Sequence, residues 1–110
     1  MTLDVTNETR YHHVESAVIK SFKDKETEKV WKREYSKKLP AEIQERSLMK
    51  LQQLHAAEDL KDLLIPVSNQ LETLKGDRKG QHSIRINDQF RVCFVWKDGN
   101  AYNVEITDYH

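Results

Sequence analysis

The spacing of apolar residues in the first half of the chain is helical. Val30, Trp31 and Tyr35 recur at the period of a helix, which predicts one from about Glu26 to Lys38. A second helix is predicted to begin near Pro40, a residue suited to a first helical turn. Its apolar face holds Ile43, Ser47, Leu48, Leu51 and Leu54. A short helical turn over residues 60–64 follows and stops before Pro66.

In the second half the period becomes that of strands. Residues 81–86, 90–96 and 102–107 are predicted strands, and Asp98-Gly99 between the last two is a strong hairpin signal. Such segments predict a three-stranded antiparallel meander, to which residues 18–22 can add a fourth strand. Helices followed by consecutive strands predict an α+β domain, in which two or three N-terminal helices cover a small antiparallel sheet of about four strands.

Composition limits the chain to one modest domain. Its 110 residues are 37% hydrophobic and 33% charged, which predicts a small core and a highly charged surface. The chain has no run of 18 apolar residues, its first residues show no basic region followed by an apolar one, and its single Cys93 lies in an apolar strand. We therefore predict a cytoplasmic protein with no membrane contact and no internal disulfide. Residues 1–17 lack a sustained period, which predicts a poorly ordered extension before a domain at 18–110.

Charge is balanced over the whole chain but not locally. The 18 basic and 18 acidic residues give a net charge of zero, which argues against a uniformly basic nucleic-acid-binding protein. Residues 75–91 nevertheless carry five basic side chains against two acidic ones, a net charge of +3. Arg91 lies inside an apolar strand, where a guanidinium needs a reason such as phosphate or carboxylate recognition. This patch is suited to gripping phosphates, although dense surface charge also serves solubility alone.

The chain ends on an acid, a phenol and an imidazole, Asp108-Tyr109-His110, directly after the last predicted strand. An imidazole both accepts and releases a proton near neutral pH. A polar tail after a strand is the simpler interpretation of these three residues alone. The functional alternative is a proton-transferring group that the preceding strand holds in place.

Two blocks of the sequence resemble those of a known family. Residues 74–96, LKGDRKGQHSIRINDQFRVCFVW, and residues 104–110, VEITDYH, are similar to the HigB branch of the RelE toxin superfamily, with a looser likeness from residue 18 onward. The resemblance implies the RelE-like microbial RNase fold and the toxin of a type II toxin–antitoxin pair. Such a toxin is a ribosome-dependent endoribonuclease that cuts messenger RNA in the decoding site without a metal or other cofactor. The ribose 2′-hydroxyl attacks the adjacent phosphate, which leaves a 2′,3′-cyclic phosphate and a 5′-hydroxyl.

The resemblance also implies partners. A HigA-type helix-turn-helix antitoxin would neutralise the toxin, the small ribosomal subunit would present the messenger RNA, and operator DNA would be contacted only through the antitoxin. Two other interpretations stay open. One is a non-catalytic or degenerate toxin-fold module that only binds its antitoxin or RNA, and the other is a free-standing ribonuclease that cuts naked RNA.

Carried over residue by residue, the resemblance implies a catalytic role for five positions. His110 would transfer a proton, and Asp108 would orient it, hold a neighbouring base or share the proton transfer. Tyr109 would stack on or hydrogen-bond the substrate. Arg91 would stabilise the transition-state phosphate with help from Lys75. The residues that would hold flanking RNA are Arg78, Lys79, Gln81 and Arg85.

One position departs from the family pattern. Some members carry a catalytic histidine where this chain has Glu72, so that either Glu72 takes a different role or the site works with fewer proton carriers. His82 is a candidate substitute, but strand alternation places it on the face of Ile84, which favours packing over catalysis. His55 and Asp59 are spaced as a metal pair on a helix, yet two ligands without a third are a weak site.

Overall fold

A computed structural model describes residues 18–109. The predicted extension at 1–17 and the predicted catalytic His110 lie outside the described residues. The helices and strands of the described part, in chain order, are α1 (Lys25–Trp31), α2 (Ala41–Ala56), β1 (Glu72–Thr73), β2 (Gln81–Arg85), β3 (Arg91–Lys97) and β4 (Asn100–Thr107). Three short 3₁₀ turns lie between them, at Leu60–Leu64, Val67–Asn69 and Gly76–Arg78.

The four strands form one sheet in the order β1-β2-β3-β4, and every neighbouring pair is antiparallel. The predicted α+β class and the meander of three longer strands are confirmed. Asp98 and Gly99 connect β3 to β4 with φ angles of 53° and 79°. Positive φ at both central residues is the geometry of the two-residue hairpin turns that match strand twist.

The fourth strand differs from the predicted one. β1 contributes it, with Glu72 paired to Ser83 and Thr73 paired to His82. Residues 18–22 instead lie along β4 at the other edge and form two isolated parallel bridges. A two-residue strand is too short to show an alternating pattern, so the sequence could not reveal it. Its consequence is that Glu72 lies on the sheet rather than in a loop.

The first helix is shorter than predicted. It ends at Trp31 rather than near Lys38, because Arg33 adopts a left-handed φ of 64°. The amides of Arg33 and Glu34 donate to carbonyl oxygens of the preceding turn at 3.0 and 2.8 Å. This pair of hydrogen bonds is the Schellman motif, which ends a helix without glycine only when the chain tolerates the left-handed residue.

The helices pack on one face of the sheet. The buried core joins α1 and α2 to alternate residues of β2, β3 and β4, and includes Val30, Ile43, Leu51, Leu54, Ile84, Val92, Phe94 and Ile106. Alternation turns the intervening residues of the three strands to the opposite face. Within residues 18–109, no helix is long and apolar enough to cross a membrane.

Thr27 fastens α1 to the last strand. Asp24 caps the helix by accepting from the Thr27 amide at 2.7 Å, and the buried Thr27 hydroxyl accepts from the Ile106 amide at 3.0 Å. Thr27→Val keeps the side-chain shape but leaves the buried Ile106 amide unpaired, so we expect a loss of about 1–3 kcal/mol in the free energy of unfolding. Urea denaturation measures this loss. Thr27→Ser, which keeps the hydroxyl, should lose less, and equal losses in the two variants would contradict the assignment.

Candidate active site

Polar side chains from several strands meet on the sheet face away from the helices. The register pairs Ser83 of β2 with Glu72 of β1 and with Cys93 of β3, and pairs Arg91 of β3 with Thr107 of β4. Cross-strand partners project from the same face of a sheet. The open face therefore brings Glu72, Ser83 and Arg91 together, next to the end of β4.

Arg91 is held from two sides. Its Nε donates to Ser83 Oγ at 2.8 Å, and its Nη2 donates to the carbonyl oxygens of Asn69, at 3.4 Å, and Gln70. Glu72 Oε1 lies 4.0 Å from Nη2, and the Arg91 side chain is only 13% exposed. Within the described part of the chain, no hydrogen bond engages Nη1. Such a fixed guanidinium needs little further ordering to bind a phosphate oxygen.

Tyr109 joins the same cluster. Its phenol oxygen lies 3.0 Å from Ser83 Oγ and donates to Glu72 Oε1 at 3.0 Å. Burial raises the pKa of the Tyr109 phenol above its usual value of about 10. The phenol therefore stays protonated at neutral pH and acts as a hydrogen-bond donor.

Arg78 supports the Tyr109 ring instead of projecting freely from the surface. Its guanidinium carbon lies 5.5 Å from the centroid of the ring, within cation–π range. Its Nη1 donates to Gln81 Oε1 at 3.0 Å and to Glu105 Oε1 at 3.2 Å. Arg78 and Gln81, both predicted to bind RNA, are thus hydrogen-bonded to each other, and Arg78 also contacts Glu105 and Tyr109.

The other predicted site residues lie around this cluster. Asp108 is exposed and accepts from Gln89 Nε2 at 2.9 Å. Arg85 is the cross-strand partner of Arg91, but its guanidinium pairs with the exposed Asp88 in the following turn. Lys75 and Lys79 are exposed on either side of the 3₁₀ turn Gly76–Arg78.

Two residues of the cluster, Ser83 and Gln70, were not predicted from the sequence to be site residues. Ser83 is fully buried and links Arg91 Nε to the Tyr109 phenol. The signal for it was its parity, because a small polar residue on the face of Arg85 has no apolar core to join. Gln70 contributes only a backbone carbonyl, which side-chain identity does not reveal.

The histidines considered as alternatives lie elsewhere. His82 packs against Phe94 at a ring distance of 6.0 Å on the core side, and burial lowers its pKa, so the predicted packing role is confirmed. His55 accepts the Ile19 amide through Nδ1 at 3.4 Å. Asp59 caps the 3₁₀ turn Leu60–Leu64 by accepting from a backbone amide. The suggested His55–Asp59 pair is therefore engaged in packing and capping.

Cys93 lies under the cluster but is not a nucleophile. It is completely buried, and burial raises the pKa of its thiol to about 11. The reactive form of cysteine is the thiolate. The chemistry available on this face is therefore that of an ordered guanidinium, a protonated phenol and a carboxylate, which together can bind a phosphate and donate hydrogen bonds.

Comparison with known sequences decides the family. The sequence model of HigB-like toxins, described as the RelE-like toxin of the type II toxin–antitoxin system HigB, matches residues 20–110. The chain belongs to this family. The resemblance inferred from the two C-terminal blocks is confirmed, and membership of a type II system implies an antitoxin partner for this HigB-like toxin.

Two relatives cover most of the HigB-like toxin. "Toxin HigB-1" of Vibrio cholerae is 42% identical over 83 residues, which are 74% of this chain and 87% of the relative. "Endoribonuclease HigB" of Proteus vulgaris is 32% identical over 93 residues, which are 84% of this chain and 100% of the relative. The aligned region thus covers nearly the whole length of both relatives.

Proposed function

We propose that this toxin is an endoribonuclease that cleaves messenger RNA in the ribosomal A site, acts in the cytoplasm and is neutralised by a HigA-type antitoxin. The observation that carries the proposal is the fixed position of the Arg91 guanidinium. It donates hydrogen bonds to two backbone carbonyls and to Ser83, which also contacts the Tyr109 phenol. The relative from Proteus vulgaris is named an endoribonuclease, which supports the same reaction class for this chain.

The proposed reaction moves one proton onto the enzyme and one off it. As the 2′-oxygen bonds to phosphorus, its proton passes to a base, and as the bond from phosphorus to the 5′-oxygen breaks, that oxygen takes a proton from an acid. Arg91 stabilises the negative charge that grows on the phosphate oxygens, and the exposed Lys75 adds a second positive charge. His110 is the proposed proton carrier, with Asp108 as its orienting or sharing partner. No metal is needed for these steps.

Glu72 takes a role of its own in this proposal. Its carboxylate accepts from the Tyr109 phenol and lies 4.0 Å from Arg91 Nη2. We assign it to orienting Tyr109, whose ring then stacks on the substrate nucleotide or whose phenol oxygen accepts a hydrogen bond from it. The position that holds a histidine in some relatives thus supports a neighbouring catalytic group here.

We infer ribosome dependence from the small number of contacts with which this face can position the RNA. The cluster offers the ordered guanidinium of Arg91 and the phenol of Tyr109, and the exposed Lys79 and the half-buried Arg85 would add contacts to the RNA backbone. A reaction with so few positioning contacts gains most of its orientation from whatever holds the RNA. The ribosomal decoding site supplies that orientation, and contact with operator DNA is left to the antitoxin.

Primer extension on a defined messenger RNA tests this proposal. With purified toxin we expect cleavage at discrete codons when the RNA is carried by translating ribosomes, and none when the same RNA is naked. Equal cleavage of naked RNA would identify a free-standing ribonuclease instead. No cleavage on ribosomes by a protein that still binds its antitoxin would identify a binding module.

A further inference from the structure

The two carbonyls that hold Arg91 come from a bend at residues 69–70, where the 3₁₀ turn Val67–Asn69 ends. Nη2 of Arg91 donates to the carbonyl oxygens of Asn69 and Gln70. Gln70 has a left-handed backbone, with φ 44° and ψ 58°, a conformation that residues with a Cβ seldom adopt. A bend of this kind persists only where its surroundings hold it in place.

Asn69 is the residue that holds the bend. Its side chain is fully buried, and its Nδ2 donates to the Leu63 carbonyl at 3.2 Å while its Oδ1 accepts from Lys50 Nζ at 2.6 Å. Its amide donates to the Pro66 carbonyl at 2.9 Å. Every side-chain bond of Asn69 therefore fixes the segment that presents the two carbonyls.

Lys50 connects this segment to helix α2. It is only 6% exposed, and among the described residues its one side-chain hydrogen bond goes to Asn69. Burial lowers the pKa of Lys50, and the charges of Arg46 and Arg85 lower it further. A buried ammonium facing a neutral amide is costly to the fold, so its presence calls for a specific role.

We infer that Lys50 and Asn69 are positioning residues for Arg91. They hold the carbonyls of Asn69 and Gln70 in position to accept hydrogen bonds from Arg91 Nη2. The guanidinium therefore keeps a single orientation toward the substrate phosphate. The inference rests on the proposed function for its catalytic consequence, but the ordering of Arg91 itself does not depend on that function.

Asn69→Ala removes the two side-chain hydrogen bonds that hold the bend, and it leaves the Arg91 side chain itself unaltered. In single-turnover cleavage on programmed ribosomes, we expect the maximal rate to fall about 10- to 100-fold with little change in the concentration for half-maximal rate, because a slightly misplaced group loses catalysis before binding. Lys50→Met should give a smaller fall of the same kind. Ser47→Ala is the matched control, because Ser47 is also buried on α2 and its hydroxyl has no partner within the described structure.

A double-mutant cycle separates positioning from a general loss of stability. In an Arg91→Lys background the carbonyls no longer hold a guanidinium, so Asn69→Ala should lower the remaining rate less than two-fold. An equal fall in both backgrounds would overturn the inference. Unchanged antitoxin binding by Asn69→Ala, and by Lys50→Met if the first variant folds poorly, confirms that the comparison is made on folded protein.

The nitrogen-15 NMR signal of Arg91 Nε tests the inference without any cleavage assay. We expect a sharp, slowly exchanging Nε–H in the wild-type protein and in Ser47→Ala, and a broadened or exchange-averaged one in Asn69→Ala. An unchanged signal in Asn69→Ala would overturn the inference. A wild-type protein that shows the ordered signal but cleaves no RNA would overturn the proposed function alone.

Discussion

Arg91→Ala should abolish growth inhibition when the protein is produced without antitoxin, and should lower cleavage on ribosomes by about 100- to 1000-fold. The expectation follows from the proposed role of Arg91, because its guanidinium is held in place by the protein and would stabilise charge that develops only as the phosphate is attacked. A group of this kind contributes to the transition state more than to binding. Single-turnover rates on programmed ribosomes measure the loss.

Two variants act as controls for Arg91. Arg91→Lys keeps the charge but loses the fork that reaches Ser83 and the two carbonyls, so it should retain only part of the rate. Arg85→Ala removes the cross-strand arginine, which is paired with Asp88 instead, and should cost far less than Arg91→Ala. Equal losses from Arg85→Ala and Arg91→Ala would mean that general positive charge, and not the ordered guanidinium, drives the reaction.

Removing His110 alone should also abolish most of the RNA cleavage by the toxin. General acid–base groups typically contribute about 100- to 10,000-fold to a rate, so we expect the truncated protein to lose at least 100-fold in cleavage. The described core and sheet are formed by residues before Asp108, and the free energy of unfolding should therefore change by less than about 0.5 kcal/mol. Urea denaturation and single-turnover cleavage on the same preparations measure the two quantities.

The histidine that packs in the core provides the contrast for this truncation. His82→Phe keeps an aromatic ring beside Phe94 and should leave the cleavage rate unchanged. Full activity in the protein truncated by one residue would refute a proton-transfer role for His110. A truncated protein that has lost both stability and activity would refute the expectation that His110 serves cleavage without contributing to the stability of the fold.

The sequence predicted the parts of the site that depend on strand alternation. Alternation along β2 placed His82 on the face of Ile84, away from the candidate site, and the position of Arg91 inside an apolar strand marked it as unusual. These predictions hold because the period of a strand fixes which side chains share a face.

The features of the candidate site that the sequence did not predict depend on contacts between residues far apart in the chain. Arg91 is ordered by carbonyls 21 and 22 residues earlier, and backbone oxygens carry no sequence signature. Glu72 reaches the cluster through a two-residue strand, and Arg78 is turned from the surface by the Tyr109 ring. Each of these placements is set by tertiary packing, which no local pattern encodes.

The most direct test of the account uses a messenger RNA with a single 2′-deoxynucleotide at the mapped cleavage position, carried by translating ribosomes. The unmodified RNA should give an upstream fragment that ends in a 2′,3′-cyclic phosphate and a downstream fragment that begins with a 5′-hydroxyl, because the 2′-oxygen is the proposed nucleophile. The deoxy substitution should abolish cleavage at that position only. Continued cleavage of the substituted RNA, or fragments with a 3′-hydroxyl and a 5′-phosphate, would contradict the account.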